Sequence, residues 1–276
     1  MSGKYPQQAV IVSDQAVASD DPYDIIQSNI EFVNAQLEEH LTNEELSENA
    51  LRSYNVDYFL AQFENGGFSQ FVYNSGWGEC IDYIVDGFEI MGAEKHLAAF
   101  ENAAKQMQER PGIEGLQKFF ASDYWDENEE RDILNEFDED FVPLFDSENL
   151  IELNAAWLRQ LPDLVVLTED EMAEEVERRA AAIPDREARI AAALEAEPRF
   201  MKMIRALCEA AGHELDRVTA GDPACEYNGQ QLLAWHFLTD RGHFRMLDVD
   251  GKGIMFEGHS DDVVCEIDAG EKFGRD

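Results

Sequence analysis

Fifteen consecutive residues, Asp126–Asp140, carry nine carboxylates: Asp126, Glu127, Glu129, Glu130, Asp132, Glu136, Asp138, Glu139 and Asp140. Ile133, Leu134, Phe137 and Phe141 recur among them at helical spacing, so the stretch is predicted as one helix with an apolar stripe turned inward. The acids then occupy the rest of its surface. Carboxylates on neighbouring turns lie roughly 5–6 Å apart. Duplex DNA carries about one charge per 1.7 Å of axis, counting both strands. An acidic helix face with flanking acids from other elements therefore approximates a row of phosphates. The plain alternative is a solvated face. Against it stands the crowding of like charges at i, i+3 and i, i+4, which weakens a helix.

Other constellations are poorer. Asp248-Val249-Asp250-Gly251 hints at a calcium loop, but Lys252 stands at the fifth position and His259 replaces the closing Glu. A β-turn is the expected reading. His236, His243, His259 and Cys265 could converge on one sheet, yet their spacing fits no standard zinc pattern, and no metal is expected. There is no phosphate-binding glycine loop and no G-x-S-x-G, so no cofactor and no catalytic residues are assigned. A glycosidase-like pair among so many carboxylates cannot be recognised from spacing.

The overall charge is as unusual as that helix. Across 276 residues there are 59 Asp and Glu against 21 Lys and Arg, a net charge of −38. Such a chain repels phosphate backbones and anionic membranes and attracts basic proteins. Direct nucleic-acid and membrane binding are not expected. The excess is uneven: net −25 in residues 1–160 and −13 in residues 161–276. Hydrophobic residues still make up 45%, including 17 Phe, which is enough for a packed core. Cys80, Cys208, Cys225 and Cys265 are far apart and form no C-x-x-C pair, so free thiols are expected. The apolar patch Ala9–Val12 is too short and too polar in its flanks for a signal peptide. The reading is a cytoplasmic protein.

The elements that would position these acids are mostly helices. Residues 1–19 are read as a flexible tail. Asp21 as N-cap, Pro22 at the first helical position and Asp24 in the first turn then open a helix. Thr42 with Glu45 forms a capping-box pattern expected to start a second helix, stopped at Asn65-Gly66-Gly67. Helices are further predicted over 68–74, 80–91, 94–108, 113–121, 126–140 and 147–161, with no paired strands in residues 20–161. Beyond Pro162, Thr168 with Glu171, then Pro184 and Pro198, open three more helices. Short strands are expected over 232–239, 243–248, 253–257 and 262–267. The fold class is therefore α+β overall: an N-terminal all-α domain (20–161), then helices and a small antiparallel β-meander (162–276).

Within the all-α part, Asn65, Gly66, Gly67, Phe68, Gln70, Phe71 and Asn74 form the pattern Asn-Gly-Gly-Phe-x-Gln-Phe-x-x-Asn-Ser, ending at Ser75. The glycines would reverse the chain, Phe68 and Phe71 would bury, and Gln70 and Asn74 would lie one turn apart as buried amides that satisfy backbone groups. This pattern resembles the signature of a bacterial domain family that contains a small DNA-mimic protein, and the likeness covers about residues 25–160. The resemblance implies an all-helical, acidic, homodimeric module. It also implies that the module binds a basic DNA-binding protein, such as a transcription factor, and keeps it off DNA. Two alternatives stand beside it: an immunity-type inhibitor of a basic nuclease or toxin, and an enzyme with its site in the C-terminal α+β part. Adaptation to a salty cytoplasm would account for the charge without any partner.

Overall fold

The first surprise lies in the residues expected to form a tail. In the computed structural model, which describes residues 5–270 and 273, Ile11–Ser13 form a strand, β1. It pairs in parallel with β2, Val165–Leu167, with Ile11 opposite Val165. Ala9 to Val12 are at most 2% exposed. Val10 and Val12 pack with Ile25 and Ile26, whereas Ile11 packs with Phe32, Leu167, Met172 and Val176. Alternate residues thus feed two clusters on opposite faces, which is why a strand buried on both sides reads as an unbroken apolar run. Within the described part of the expected tail, Ile11–Ser13 thus form a structural strand, followed at once by helix α1, Asp14–Ala18, while residues 1–4 lie outside the described residues.

The chain divides into two compact units, Met1–Arg186 and Glu187–Asp276. The expected boundary at 161/162 therefore falls too early. β2 and α10 (Glu169–Ala181), which opens with the Thr168–Glu171 capping box, belong to the first unit. The side chain of Arg179 on α10 is buried and donates to Glu175, Gln36 and the carbonyls of Pro6 and Gln7. That network joins α10 to the start of the chain.

The helices of the first unit begin where local signals place them, with two exceptions. Helix α2 spans Pro22–Glu38, with Asp21 accepting from the Tyr23 N–H. The Thr42–Glu45 capping box is present but serves a short 3₁₀ turn, Asn43–Glu45; the next helix, α3 (Glu48–Ser75), is capped by Ser47. Helices α4 (Cys80–Met91), α5 (Glu94–Glu109) and α6 (Gly112–Ala121) follow. The second exception is the acidic stretch. It is not one helix but α7 (Glu129–Asn135) and α8 (Asp138–Ser147), separated at Glu136 and Phe137. Asn128 caps α7, which leaves Asp126 and Glu127 outside any helix. Helix α9 (Leu150–Gln160) completes the expected set, and no strand lies within residues 20–161.

Helix α3 breaks at the glycine pair without ending. Gly67 has φ of 75° and ψ of −170°, a conformation that costs a residue with a side chain of order 1–3 kcal/mol. The break leaves the Phe68 N–H without a partner in its own helix, and Asp138 Oδ1 accepts it at 2.8 Å. A Cβ on Gly67 would lie 2.5 Å from Asp138 Oδ2. Gly66 is extended; a Cβ there would collide with the Gln70 amide, which packs over it. Phe68 is thereby driven into the core, stacked on Phe141 (5.3 Å, 13°) and edge-on to Phe137 and Trp77. Phe59, Phe71, Phe88 and Phe100 surround it, all fully buried. The amides of the motif depart from expectation. Gln70 is half-buried and Asn74 exposed, and both donate to Gln62 Oε1, at 3.4 and 2.6 Å, so they clasp the two halves of α3 and do not serve buried backbone.

The second unit holds α11 from Glu187 onward (the helix spans Arg186–Ala196) and α12 (Arg199–Ala211), which ends at left-handed Gly212. A five-stranded antiparallel meander follows in the order β3 (Leu215–Tyr227), β4 (Gln230–Thr239), β5 (Gly242–Val249), β6 (Lys252–Glu257) and β7 (Val263–Asp268). Met203, Ile204 and Leu207 of α12 pack on Phe237, Phe244, Met246 and Met255. Asp250 and Gly251, at φ of 51° and 76°, make the tight turn expected in place of a calcium loop.

Replacing Gly67 by Ala should lower the stability of the first unit by roughly 1–3 kcal/mol, from its φ alone, with the Asp138 clash added. Asp138→Ala, which removes the cap from Phe68, should cost about 1 kcal/mol. Urea unfolding followed by Phe and Trp signals reads both; an unchanged midpoint for Gly67→Ala would show that the break is not held by this pair.

Candidate acidic interface

Cutting the acidic stretch in two changes what its carboxylates can do. Asp126, Glu127, Glu129, Asp132, Glu139 and Asp140 are exposed and form no ion pair among the described residues. The other three are engaged by the chain itself. Glu136 receives both terminal nitrogens of Arg110, at 3.0 and 3.2 Å. Glu130 is half-buried with Lys118 Nζ at 3.8 Å. Asp138 is half-buried under Phe68; burial raises its carboxyl above the ordinary range, against the opposing pull of the Phe68 N–H. It is a cap more than a surface charge. Six carboxylates are thus left pointing outward, on the α7–α8 segment and the loop before it.

A second acidic surface was not evident in the sequence. Packing of α3 on α4 gathers Glu44, Glu48, Glu79, Asp82 and Asp86 around Tyr83 and Arg52, in a groove of about 340 Å³. Arg52 bridges Glu48 at 3.4 Å and Asp86 at 3.1 Å. Burial first, then the charges of Glu48, Glu44 and Glu79, raise the Tyr83 hydroxyl pKa. Read singly, Glu48 and Asp82 look like ordinary first-turn acids, each favoured at its own helix start. Only the helix pairing brings them together, and no local signal announces it.

Acids also serve the interior. Glu148 accepts the N–H groups of Lys95 and His96 at 3.0 and 2.8 Å and meets His96 Nδ1 at 2.7 Å, capping α5 from outside. Burial pushes that carboxyl up, but these hydrogen bonds outweigh it and leave it below the usual range. Burial holds His96 below the usual imidazole pKa despite Glu148.

In the second unit the histidines do meet. His236 Nδ1 lies 3.1 Å from His243 Nε2, and the His259 ring is 5.0 Å from that of His243. Cys265 does not join them; its Sγ faces the Leu207 carbonyl on the α12 side of the sheet. Among the described residues no group of three or more His, Cys, Asp or Glu is placed to hold a metal ion. The four cysteines are free thiols. Among the described residues no helix is long and apolar enough to cross a membrane. The chemistry on offer is that of ionised oxygens accepting hydrogen bonds from cations.

Residues 44–161 match the model of the DMP19-like protein family, whose detailed function is largely unknown. This DMP19-like domain takes in α3 to α9, the Gly66-Gly67 break and both acidic surfaces; α2, the parallel strand pair and the second unit lie outside it. The matched span holds 26 acids and 7 Lys and Arg. No curated protein and no solved structure matches the chain.

One carboxylate of this domain should titrate near neutrality. Burial, then the charge of Glu64, pushes Asp57 up to about 6. A carboxyl raised in the folded state adds stability below its unfolded pKa and loses it as pH rises through the folded value. Asp57→Asn should therefore stabilise the protein at pH values above about 7, by on the order of 1 kcal/mol. The gain should vanish toward about pH 3, where wild-type Asp57 is protonated in both states. Melting temperatures of the two proteins across this range check it.

Proposed function

We propose that the DMP19-like domain is a binding module whose carboxylates occupy the Arg and Lys surface that a DNA-binding protein otherwise presents to phosphate. The observation that carries this reading is the set of six exposed carboxylates, Asp126, Glu127, Glu129, Asp132, Glu139 and Asp140, with no cation among the described residues paired to them. Phosphate contacts supply most non-specific DNA affinity, so a competitor has to present many acids together. The groove at Glu48 and Asp86 supports the reading from a second surface of the same domain. A net charge of −38 favours fast encounter with a basic partner and disfavours nucleic acid itself. Two copies acting together, as the family resemblance implies, would double the acidic surface.

The test combines Glu127→Gln, Glu129→Gln, Asp132→Asn and Glu139→Gln, which keeps shape and removes four charges. With the wild-type chain as bait in native extract, the retained protein should be a DNA-binding protein that duplex DNA displaces. At 0.2–1 kcal/mol per exposed contact, the variant should bind it roughly tenfold more weakly. Wild-type binding should also fall as salt rises, because exposed contacts are screened. A folded variant that holds the same partner unchanged overturns the reading. Separately, light scattering at micromolar concentration should give the mass of a dimer; a monomer would remove the two-copy arrangement.

A further inference from the structure

Trp125 is 83% exposed, the most exposed of the large hydrophobic side chains among the described residues. Its setting is not a loose loop. The Tyr124 hydroxyl meets Ser69 Oγ at 3.1 Å and the Gly66 carbonyl at 3.4 Å, and its ring packs on Tyr73 and Phe119. Arg131 Nη1 donates to the Tyr124 carbonyl at 2.5 Å, and Asn128 Nδ2 donates to Ser122 Oγ at 2.7 Å. Asp123 Oδ1 accepts the Trp125 N–H at 2.9 Å, and the Asp123 carbonyl accepts that of Asp126. The fold takes its anchor from Tyr124 and leaves the next side chain, an indole set edge-on to it at 5.2 Å and 85°, in water. Nothing in the packing of this unit requires Trp at that position.

The surroundings specify what would cover it. Asp123, Asp126, Glu127 and Glu129 stand within four residues of Trp125 in the chain and are all exposed. Arg131, the nearest cation in sequence, is committed to the Tyr124 carbonyl and lies over the Tyr124 ring, 5.7 Å from its centroid. An exposed aromatic face on a short segment rich in exposed carboxylates suits a guanidinium: the plane stacks on the indole while its N–H fork reaches for the oxygens. Trp and Arg are also the residue types that dominate binding energy at interfaces.

We propose that Trp125 is the aromatic anchor of the acidic interface and receives an arginine side chain of a basic protein segment. This rests on the proposed function and adds to it a preference for arginine over lysine, which charge alone would not give. Nona-arginine and nona-lysine peptides, each carrying a fluorescent label, serve as probes for the full-length chain. The titrations are run at about 0.15 M ionic strength, where long-range attraction is screened beyond about 8 Å. Wild type should bind nona-arginine more tightly than nona-lysine. Trp125→Ala should weaken nona-arginine binding by roughly five- to tenfold and erase most of that preference, and Trp125→Phe should fall between. Unchanged circular dichroism and melting temperature are expected, since the side chain supports nothing.

Equal nona-arginine affinity for wild type and Trp125→Ala overturns the anchor, as does the absence of binding by wild type. If Trp125→Ala binds normally while the fourfold Gln/Asn variant binds weakly, the anchor fails and the acidic interface stands. If the fourfold variant also binds normally, both fail. A loss of self-association in Trp125→Ala without loss of peptide binding would assign the indole to a second copy of the chain and end the proposal.

Discussion

At the Gly66-Gly67 break a helix is restarted in mid-course, and its first free N–H, that of Phe68, is satisfied by a carboxylate seventy residues away, Asp138. A buried N–H left without a partner costs about 1–3 kcal/mol, so this contact decides where Phe68 can sit. Phe68 in turn stands among Phe71, Phe100, Phe137, Phe141 and Trp77, the aromatic centre of the domain. Asp138 is also the first residue of α8, so this contact ties the kink of α3 to the start of α8. Gly67 has no side chain because Asp138 must come that close. The acidic surface and the aromatic core are thus built on a single interaction.

A domain this anionic has to place its acids with care. Some sit where backbone dipoles welcome them: Asp138 on the second half of α3, Glu148 on α5, Glu171 in the capping box of α10. Others take up the few bases available, as Glu136 does with Arg110 and Asp86 with Arg52. Of those left over, two groups stand out. Six carboxylates lie on the α7–α8 segment and the loop before it, and Glu44, Glu79 and Asp82 line the groove between α3 and α4 beside the Arg52 pairs. Repulsion within each group costs stability, and a bound cationic surface would relieve it. That asymmetry between strain alone and relief in a complex gives the proposed acidic interface its physical logic.

The second unit follows a different economy. Its net charge is −8 over residues 187–276, and its sheet buries apolar residues against α12 on one face. On the other face His236, His243 and Arg245 lie together, with Asp261 on Arg245. A hydrogen bond between two imidazoles can hold one proton but not two. Burial, followed by the charges of His236 and His259, lowers the pKa of His243 accordingly.

Most of the structure set by local interactions was determined by the residues alone, the Thr42–Glu45 box, which serves a 3₁₀ turn, being an exception. Asp21-Pro22, Thr168 with Glu171, the left-handed glycines at helix ends and the tight turn at Asp250-Gly251 each act within a few residues of themselves, and each element formed where expected. The aromatic burial of Phe68 and Phe71 and the break at Gly66-Gly67 were legible for the same reason. β3 was missed because its register shifts and Pro223 spoil the alternation, although Asn228-Gly229, with φ of 52° and 76°, was a usable hairpin signal. Distance in sequence defeated the rest. The apolar run at Ala9–Val12 became a strand only because Val165–Leu167 lies beside it. The stripe through Ile133, Leu134, Phe137 and Phe141 kept its period across the break at Glu136 and Phe137. No carboxylate in the chain states by its type whether it will cap a helix, pair with an arginine or face water. That division depends on which helix ends and which cations the tertiary fold brings within hydrogen-bonding reach.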